Sequence, residues 1–233
     1  IERNLSAGRG AKIAYIDDGG EYSYDELAKR INRFANVLTS LGVHREERVL
    51  LCLLDTIDFP VAFLGAIKAG VIPIATNTLL TPADYQYMLR DSGAVALVVS
   101  KQLWPQFKDI VKDVPAVKHI VASGGAGVDG TRDFAELMSA AATRFQTADT
   151  TCDAPCFWLY SSGSTGKPKG TVHIHSSLIN TAELYAIPIV GICESDVVFS
   201  AAKLFFAYGL GNGLTFPLAV GATTILMAER PTP

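Results

Sequence analysis

Hydrophobic and polar residues alternate along the first part of the chain in blocks of two kinds. In the first kind, apolar residues recur at helical steps, as at Leu27, Ile31, Phe34, Leu38 and Leu41. In the second kind, short apolar runs such as RVLLCLL are continuous, which is typical of strands covered on both faces. The alternation of the two kinds predicts βαβ units, and therefore an α/β fold with mainly parallel sheets flanked by helices.

Turn and cap residues mark where these elements begin and end. A Gly19-Gly20 pair between two short strands predicts a hairpin. Ser23 has the capping-box spacing to Glu26, and Thr81 precedes a proline at the first position of a later helix. The predicted elements, in chain order, are the hairpin AKIAYID–EYSY, a helix that ends at Gly42, the strand RVLLCLL, the helix FPVAFLGAIKAG, the strand VIPIAT, the helix TPADYQYMLRDSG, and the strands AVALVVS and VKHIVAS.

The pattern loosens between Gly124 and Asp153, where a Gly-rich turn, one short helix in DFAELMSAAA and a polar stretch follow one another. We therefore divide the domain near Thr150. Residues 1–150 form a first α/β portion, and residues 151–233 form a second portion of the same domain that opens with the apolar strand CFWLY.

The second portion ends in an uncharged stretch from Leu204 to Ala228. A membrane-spanning helix needs about 20 apolar residues and tolerates few helix breakers. The glycines, proline and asparagine in this stretch therefore argue against a membrane span. We expect a helix to about Val220, followed by a strand in ATTILM.

Composition narrows the classes of function. The chain has 233 residues, 49% of them hydrophobic, and a formal net charge of −3. It lacks the Lys/Arg-rich stripe of a nucleic-acid-binding protein. Its four cysteines form no CxxC pair, so we interpret them as reduced thiols of a cytoplasmic protein. The abrupt ends, with no signal peptide at Ile1, suggest a piece of a longer protein.

The loop YSSGSTGKPKG, from Tyr160 to Gly170, combines glycines, hydroxyl side chains and two lysines. Glycines let backbone N–H groups approach an anion closely, and lysine adds a mobile charge, so this composition favours phosphate binding. A flexible linker is disfavoured because the loop lies between two apolar strands. It is not a nucleotide-binding P-loop, because Lys167 is followed by Pro168 and the next segment, GTVHIH, alternates like a strand.

This loop closely resembles the signature loop of the adenylate-forming superfamily, which includes acyl-CoA synthetases, peptide-synthetase adenylation domains and beetle luciferases. The segments YSYDELAKRINRFANVLTSLGV and DFPVAFLGAIKAGVIPIATN resemble the same superfamily. The stretch from Ser200 onward, SAAKLFFAYGLGNGLTFPLAVGATTILMAERPTP, closely resembles the aryl-CoA ligase branch that activates benzoate. The chain thus looks like part of the large N-terminal domain of such an enzyme.

The resemblance implies a reaction in two halves. A carboxylate attacks the α-phosphate of Mg-ATP to give an acyl adenylate, and the thiol of coenzyme A then displaces AMP. The partners implied are an aromatic carboxylate, ATP with Mg²⁺, and coenzyme A, with no nucleic acid and no membrane. Homodimer formation is left open, and so is the preferred ring substituent among 4-hydroxybenzoate, 2-aminobenzoate and halobenzoates.

The resemblance also implies binding residues. By position in the loop, the ATP phosphates are expected to contact Ser161, Ser162, Gly163, Ser164, Thr165, Gly166 and Lys169. Lys167 is expected to be exposed and less specific. The acyl pocket is expected to involve Phe206, Ala207, Tyr208 and Gly209, with Phe206 in the place of a histidine found in most acyl-CoA ligases. Without the resemblance, LFFAYG would be interpreted as core.

Three further residues have more than one interpretation. Lys203 either pairs with a carboxylate or is a snorkelling or salt-bridged lysine, and the second is favoured. His173 and His175 would share a face of one strand, but no other metal ligand lies near them in sequence, so no metal site is expected. His175 with Ser176 is instead expected to begin the next helix.

No catalytic residue is assigned within this chain. The family's adenine and magnesium motif, its ribose-binding aspartate, its hinge and its C-terminal lid domain with the adenylating lysine would all follow Pro233. The fragment alone is therefore expected to be inactive. Two alternatives to an aryl-CoA ligase stay open: an aryl-acid adenylation domain that loads a carrier protein, and a non-catalytic nucleotide- or aryl-binding module.

Overall fold

The computed structural model describes residues 1–125, 128–161 and 166–229, which fold into two sheets flanked by helices. The strands are β1 (Ile13–Asp17), β2 (Gly20–Ser23), β3 (Arg48–Cys52), β4 (Ile72–Ala75), β5 (Ala96–Ser100), β6 (His119–Ser123), β7 (Arg132–Asp133), β8 (Pro155–Ser161), β9 (Lys169–Ile174), β10 (Val197–Phe199) and β11 (Thr223–Ile225). The α-helices are α1 (Glu2–Ser6), α2 (Tyr24–Ser40), α3 (Asp58–Lys68), α4 (Pro82–Ser92), α5 (Phe134–Ala140), α6 (His175–Thr181), α7 (Ala207–Leu210) and α8 (Phe216–Val220). Short 3₁₀ turns occupy Lys101–Gln106 and Val111–Asp113, and wider π-helical turns occupy Ala182–Val190 and Gly211–Thr215.

The larger sheet has the strand order β7-β6-β5-β3-β4-β8-β9. Every neighbouring pair in it is parallel except β8 and β9, which confirms the prediction of mainly parallel pairing. Because parallel strands end at the same edge of a sheet, the segments after β3, β4, β5 and β8 gather there. That edge is where α/β proteins of this kind bind ligands.

The helix boundaries follow from the predicted caps. Ser23 Oγ accepts a hydrogen bond of 3.2 Å from the Glu26 amide at the start of α2. Thr81 and Asp84 form a reciprocal capping box at the start of α4. That helix ends at Gly93, whose φ of 58° lies in the left-handed region that glycine adopts without strain.

The smaller sheet joins the two ends of the described chain, in the order β10-β11-β1-β2. Two buried tyrosine hydroxyls strengthen this connection: Tyr15 donates to the Gly213 carbonyl at 3.2 Å, and Tyr24 donates to the Ala222 carbonyl at 2.7 Å. The predicted helix to Val220 and the strand after it are confirmed. No helix in the described part of the chain is long and apolar enough to cross a membrane.

Strands from both sides of residue 150 contribute to each sheet. The division into portions 1–150 and 151–233 stays a prediction. The covalent order of the chain is therefore a poor guide to which residues share a layer, and the segment after residue 200 lies against elements from the first sixty residues.

One buried carboxylate joins the large sheet to that segment. Asp55 follows β3, is 5% exposed, and accepts hydrogen bonds of 3.3 Å from the Leu204 amide on both of its oxygens. The Lys203 ammonium lies 3.9 Å from Asp55 Oδ2, so Lys203 pairs with a carboxylate of the chain itself, which fits both interpretations of this lysine. Burial raises the pKa of Asp55 to about 6, against the opposing effects of Lys203 and of the Leu204 N–H.

This raised pKa predicts a pH-dependent cost to stability. Between the ordinary Asp pKa and about 6, the folded protein holds a proton on Asp55 that the unfolded chain has lost, so stability falls as pH rises through this range. Asp55→Asn does not titrate. The free energy of unfolding of the variant minus that of the wild type should therefore rise by roughly 1–2 kcal/mol between pH 5 and pH 7 and then level off.

Thermal melts of the full-length wild type and variant over pH 5–8 measure this difference. The difference in Tm between the two proteins cancels the titration of every other group. A Tm difference that is flat with pH, or that falls from pH 5 to pH 7, would show that Asp55 ionises as easily in the folded protein as in water.

Candidate functional site

The predicted phosphate loop connects β8 to β9. The antiparallel register places Ser161 opposite Lys169 and Tyr160 opposite Gly170, so two of the predicted phosphate contacts face each other where the loop begins and ends. The Ser161 and Lys169 side chains are both exposed. Ser162, Gly163, Ser164 and Thr165 lie outside the described residues. Gly166 has a φ of 90°, a backbone conformation that a residue with a side chain rarely adopts.

Helix α4 contacts both ends of this loop. The Tyr160 hydroxyl donates to Asp91 Oδ2 at 2.7 Å, and the Tyr87 hydroxyl donates to Asp91 Oδ1 at 3.3 Å. The Lys167 ammonium lies 5.4 Å from the centre of the Tyr87 ring, within the range of a cation–π contact. Lys167 is exposed as expected, but it has this partner, and neither Tyr87 nor Asp91 was predicted from the sequence.

A small cavity lies on one face of the same hairpin. Its volume is about 110 Å³. Residues from β8, β9, the helical turns after Phe206 and α6 line it, among them Phe157, Leu159, His173, Ala207, Leu210 and Phe216. The Phe157 and His173 rings stack with their centres 4.5 Å apart and their planes 1° from parallel. The result is a largely apolar, aromatic-walled space.

Of the four residues predicted for the acyl pocket, Ala207 lines this cavity. Phe206 and Tyr208 are 48% and 69% exposed, so their side chains are not core in the described structure. Gly209 is buried, and only glycine fits there, because a Cβ would lie 2.0 Å from the Lys203 carbonyl oxygen. The first two residues of LFFAYG, Leu204 and Phe205, are core. Whether the other residues contact an acid stays a prediction.

His173 and Phe216 line the cavity, and neither was predicted as a site residue. The sequence offered one signal for His173, the strand-like alternation of GTVHIH; the register that sets it opposite Phe157 is seen only in the structure. Burial lowers the pKa of His173, which favours the neutral ring. His175 begins α6, which confirms the expected helix start, so it does not share a strand face with His173.

The described residues, 1–125, 128–161 and 166–229, contain no cluster of metal-binding side chains. No group of three or more His, Cys, Asp or Glu side chains in these ranges is placed to hold a metal ion.

The sequence is similar to several curated ligases. It is 64% identical to the benzoate–CoA ligase of Thauera aromatica, over all of this chain and 44% of that protein. It is 44% identical to the 4-hydroxybenzoate–CoA/benzoate–CoA ligase of Rhodopseudomonas palustris, over all of this chain and 43% of that protein. The chain thus spans less than half the length of these relatives.

Solved structures agree with the fold. The benzoate CoA ligase from Burkholderia xenovorans LB400 matches with a TM-score of 0.90 at 55% identity, over 98% of this chain and 45% of that one. An anthranilate CoA ligase solved in complex with anthranoyl-AMP matches with a TM-score of 0.95 at 36% identity, over 98% of this chain and 44% of that one. The sequence matches the family described as AMP-binding enzyme over residues 2–233, and the chain belongs to that family.

Proposed function

We propose that the chain is part of an ATP-dependent aryl-CoA ligase that activates benzoate or a close analogue. The observation that carries this proposal is the shared β8–β9 hairpin. The phosphate loop joins its two strands at Ser161 and Lys169, and Leu159 and His173 of the same strands line the cavity. Leu159 precedes Ser161 by two residues, roughly 7 Å along a strand. A carboxylate on a ring in the cavity would therefore lie close to ATP phosphates held by the loop.

The phosphate half of the site acts through positive charge and backbone donors. As the acid attacks the α-phosphate, negative charge builds up on the departing pyrophosphate. Donors that are already in place stabilise this charge without reorganising. We assign this role to Lys169 together with Ser161, Gly166 and the intervening residues Ser162–Thr165. Lys167, held over the Tyr87 ring, contributes less.

The acid half of the site selects a flat, apolar group. A cavity of roughly 150 Å³ holds one benzene ring in a protein core. The space here, about 110 Å³, is of the same order and has aromatic walls. Phe206, Tyr208 and Gly209 complete the proposed pocket around Ala207. A neutral His173 suits such a space, since a charged imidazolium would be costly to bury beside an apolar ring.

The second substrate is coenzyme A, which takes the acyl group from the adenylate and releases AMP. Residues 1–150 supply β3 to β7 of the large sheet that supports this site, and residues 151–233 supply β8, β9, the loop and the pocket. All four cysteines are free thiols, of which Cys52 and Cys156 are buried, and a reducing compartment such as the cytoplasm suits them.

The direct test uses the full-length protein. With benzoate present, it should catalyse exchange of labelled pyrophosphate into ATP, and adding coenzyme A should yield benzoyl-CoA and AMP. Matched reactions with a short-chain fatty acid should be much slower. Exchange without coenzyme A consumption, but with acylation of a carrier protein, would assign the carrier-loading alternative. If the protein binds nucleotide but no aromatic acid supports pyrophosphate exchange, it is a non-catalytic binding module.

Lys169→Ala should slow adenylation far more than thioester formation from supplied benzoyl-AMP, because the lost contact is to the leaving pyrophosphate. The expected cost is roughly 2–4 kcal/mol in the adenylation transition state, on the scale of a lost oxyanion-hole donor. Single-turnover kinetics of the two halves measure it. The control is Lys167→Ala, which removes the same charge from the same loop and should cost much less. Equal slowing of both halves by Lys169→Ala would make Lys169 a structural residue.

Ala207→Leu should shrink the acid cavity and leave the ATP site unchanged. Overpacking costs about 1–3 kcal/mol, so the KM for benzoate should rise about ten- to hundredfold while the KM for ATP and the Tm stay nearly constant. Ring-substituted acids should lose more than benzoate. Ala201→Leu makes the same enlargement at an exposed position of the same segment and should change neither KM. A fall in Tm with an unchanged preference among acids would show that Ala207 supports the fold and does not contact the acid.

A further inference from the structure

We propose that Asp55 is a positioning residue for the acid cavity: through the Leu204 amide and the Lys203 ammonium it fixes the backbone turn that presents Ala207 to the cavity. Asp55 itself does not line the cavity and contacts no reacting group. The inference rests on the proposed function, because it names what the turn is positioned for.

Asp55 is well placed to hold this turn. It lies three residues after the end of β3, and β3 has parallel neighbours, β5 and β4, on its two sides. Both of its carboxylate oxygens lie 3.3 Å from the Leu204 nitrogen. Leu204 is itself almost fully buried, so its N–H has no access to water and needs this acceptor.

Backbone hydrogen bonds in the turn around Leu204 connect this contact to Ala207. The Lys203 carbonyl accepts a hydrogen bond of 3.0 Å from the Phe206 amide, and the Phe206 carbonyl accepts one of 2.7 Å from the Leu210 amide. The Lys203 carbonyl also packs so closely against Gly209 that a Cβ there would have no room. These contacts hold Lys203 and Gly209 close together on either side of Ala207 and so constrain the backbone between them.

The Lys203 side chain ties the same turn to the end of the small sheet. Its ammonium donates to the Met227 and Glu229 carbonyls at 2.5 Å each, and contacts the Ala228 carbonyl at 3.4 Å. Asp55 supplies the only carboxylate that forms an ion pair with Lys203 within the described part of the chain. Removing that carboxylate leaves a largely buried cation without its counter-charge, so the turn loses two anchors together.

The test compares Asp55→Ala with the wild type in the full-length enzyme. We expect the KM for benzoate in pyrophosphate exchange to rise about tenfold or more while the KM for ATP changes little, the split that marks a loss of acid binding alone. Asp55→Asn keeps an oxygen acceptor for the Leu204 N–H but not the charge beside Lys203, so it should recover part of the loss. A general loss of structure would raise both KM values together, and that result would overturn the proposal.

The matched control is Asp58→Ala. Asp58 is a half-buried carboxylate three residues along, and it accepts a 2.5 Å hydrogen bond from Ser123 Oγ, on the far side of β5 from the small cavity. Its loss should lower the Tm without changing the KM for benzoate relative to that for ATP. An equal change in the ratio of the two KM values for both variants would show that any nearby destabilisation has this effect, and would overturn the proposal.

A second measurement does not depend on the substrate. Hydrogen–deuterium exchange should be faster in Asp55→Ala than in the wild type for the peptide covering Leu204–Leu210, and unchanged there in Asp58→Ala. Unchanged exchange in both variants would show that Asp55 does not hold the turn. If the wild type has no benzoate-dependent activity, the proposed ligase function fails, while faster exchange in Asp55→Ala would still show that Asp55 fixes the turn.

Discussion

The candidate site depends on the antiparallel pairing of β8 with β9. Every other strand of the large sheet runs in one direction, and parallel neighbours must be joined by long crossovers. The reversal at β9 allows a short loop to join two strands at the ligand-binding edge. It also keeps Ser161 and Lys169 opposite each other. A parallel β9 would leave the end of β8 and the start of β9 at opposite edges of the sheet, so the loop would have to run back along the sheet instead of staying at this edge.

The other half of the site is held by polar side chains that bind backbone. Residues after 200 contain much glycine and form few long elements, so they gain little from regular hydrogen-bond ladders. Tyr15, Tyr24 and Asp55, all from the first part of the chain, bind backbone groups of that segment instead. Each such contact satisfies a buried donor or acceptor that would otherwise be costly. The segment is therefore shaped by its surroundings more than by its own sequence.

This difference explains what could be predicted from the sequence. The strands and helices of the first half follow from local period and caps, since α2 and α4 begin where Ser23 and Thr81 accept hydrogen bonds from their own helices. The chemistry of the loop also follows from its residues. The anchors do not. Asp55 and Leu204 are separated by 149 positions, and nothing in a single sequence pairs a buried carboxylate with a distant amide. The alternation of β9 could be recognised in the sequence, but it does not show which strand pairs with β9, so it could not place His173 beside Phe157.

Within the one stretch LFFAYG, structural and functional constraints can be separated residue by residue. Leu204 and Phe205 are buried, and Gly209 is sterically required, so folding alone accounts for these three. Folding does not account for Phe206 and Tyr208, whose large aromatic side chains are exposed to water at an energetic cost. Exposed aromatic residues close together are typical of surfaces that a ligand, a partner or another part of the protein covers. Ala207, between them, lines a cavity. The residues that the core does not require are thus the ones beside the proposed acid site, which is the arrangement expected when a segment is anchored at its ends and used in its middle.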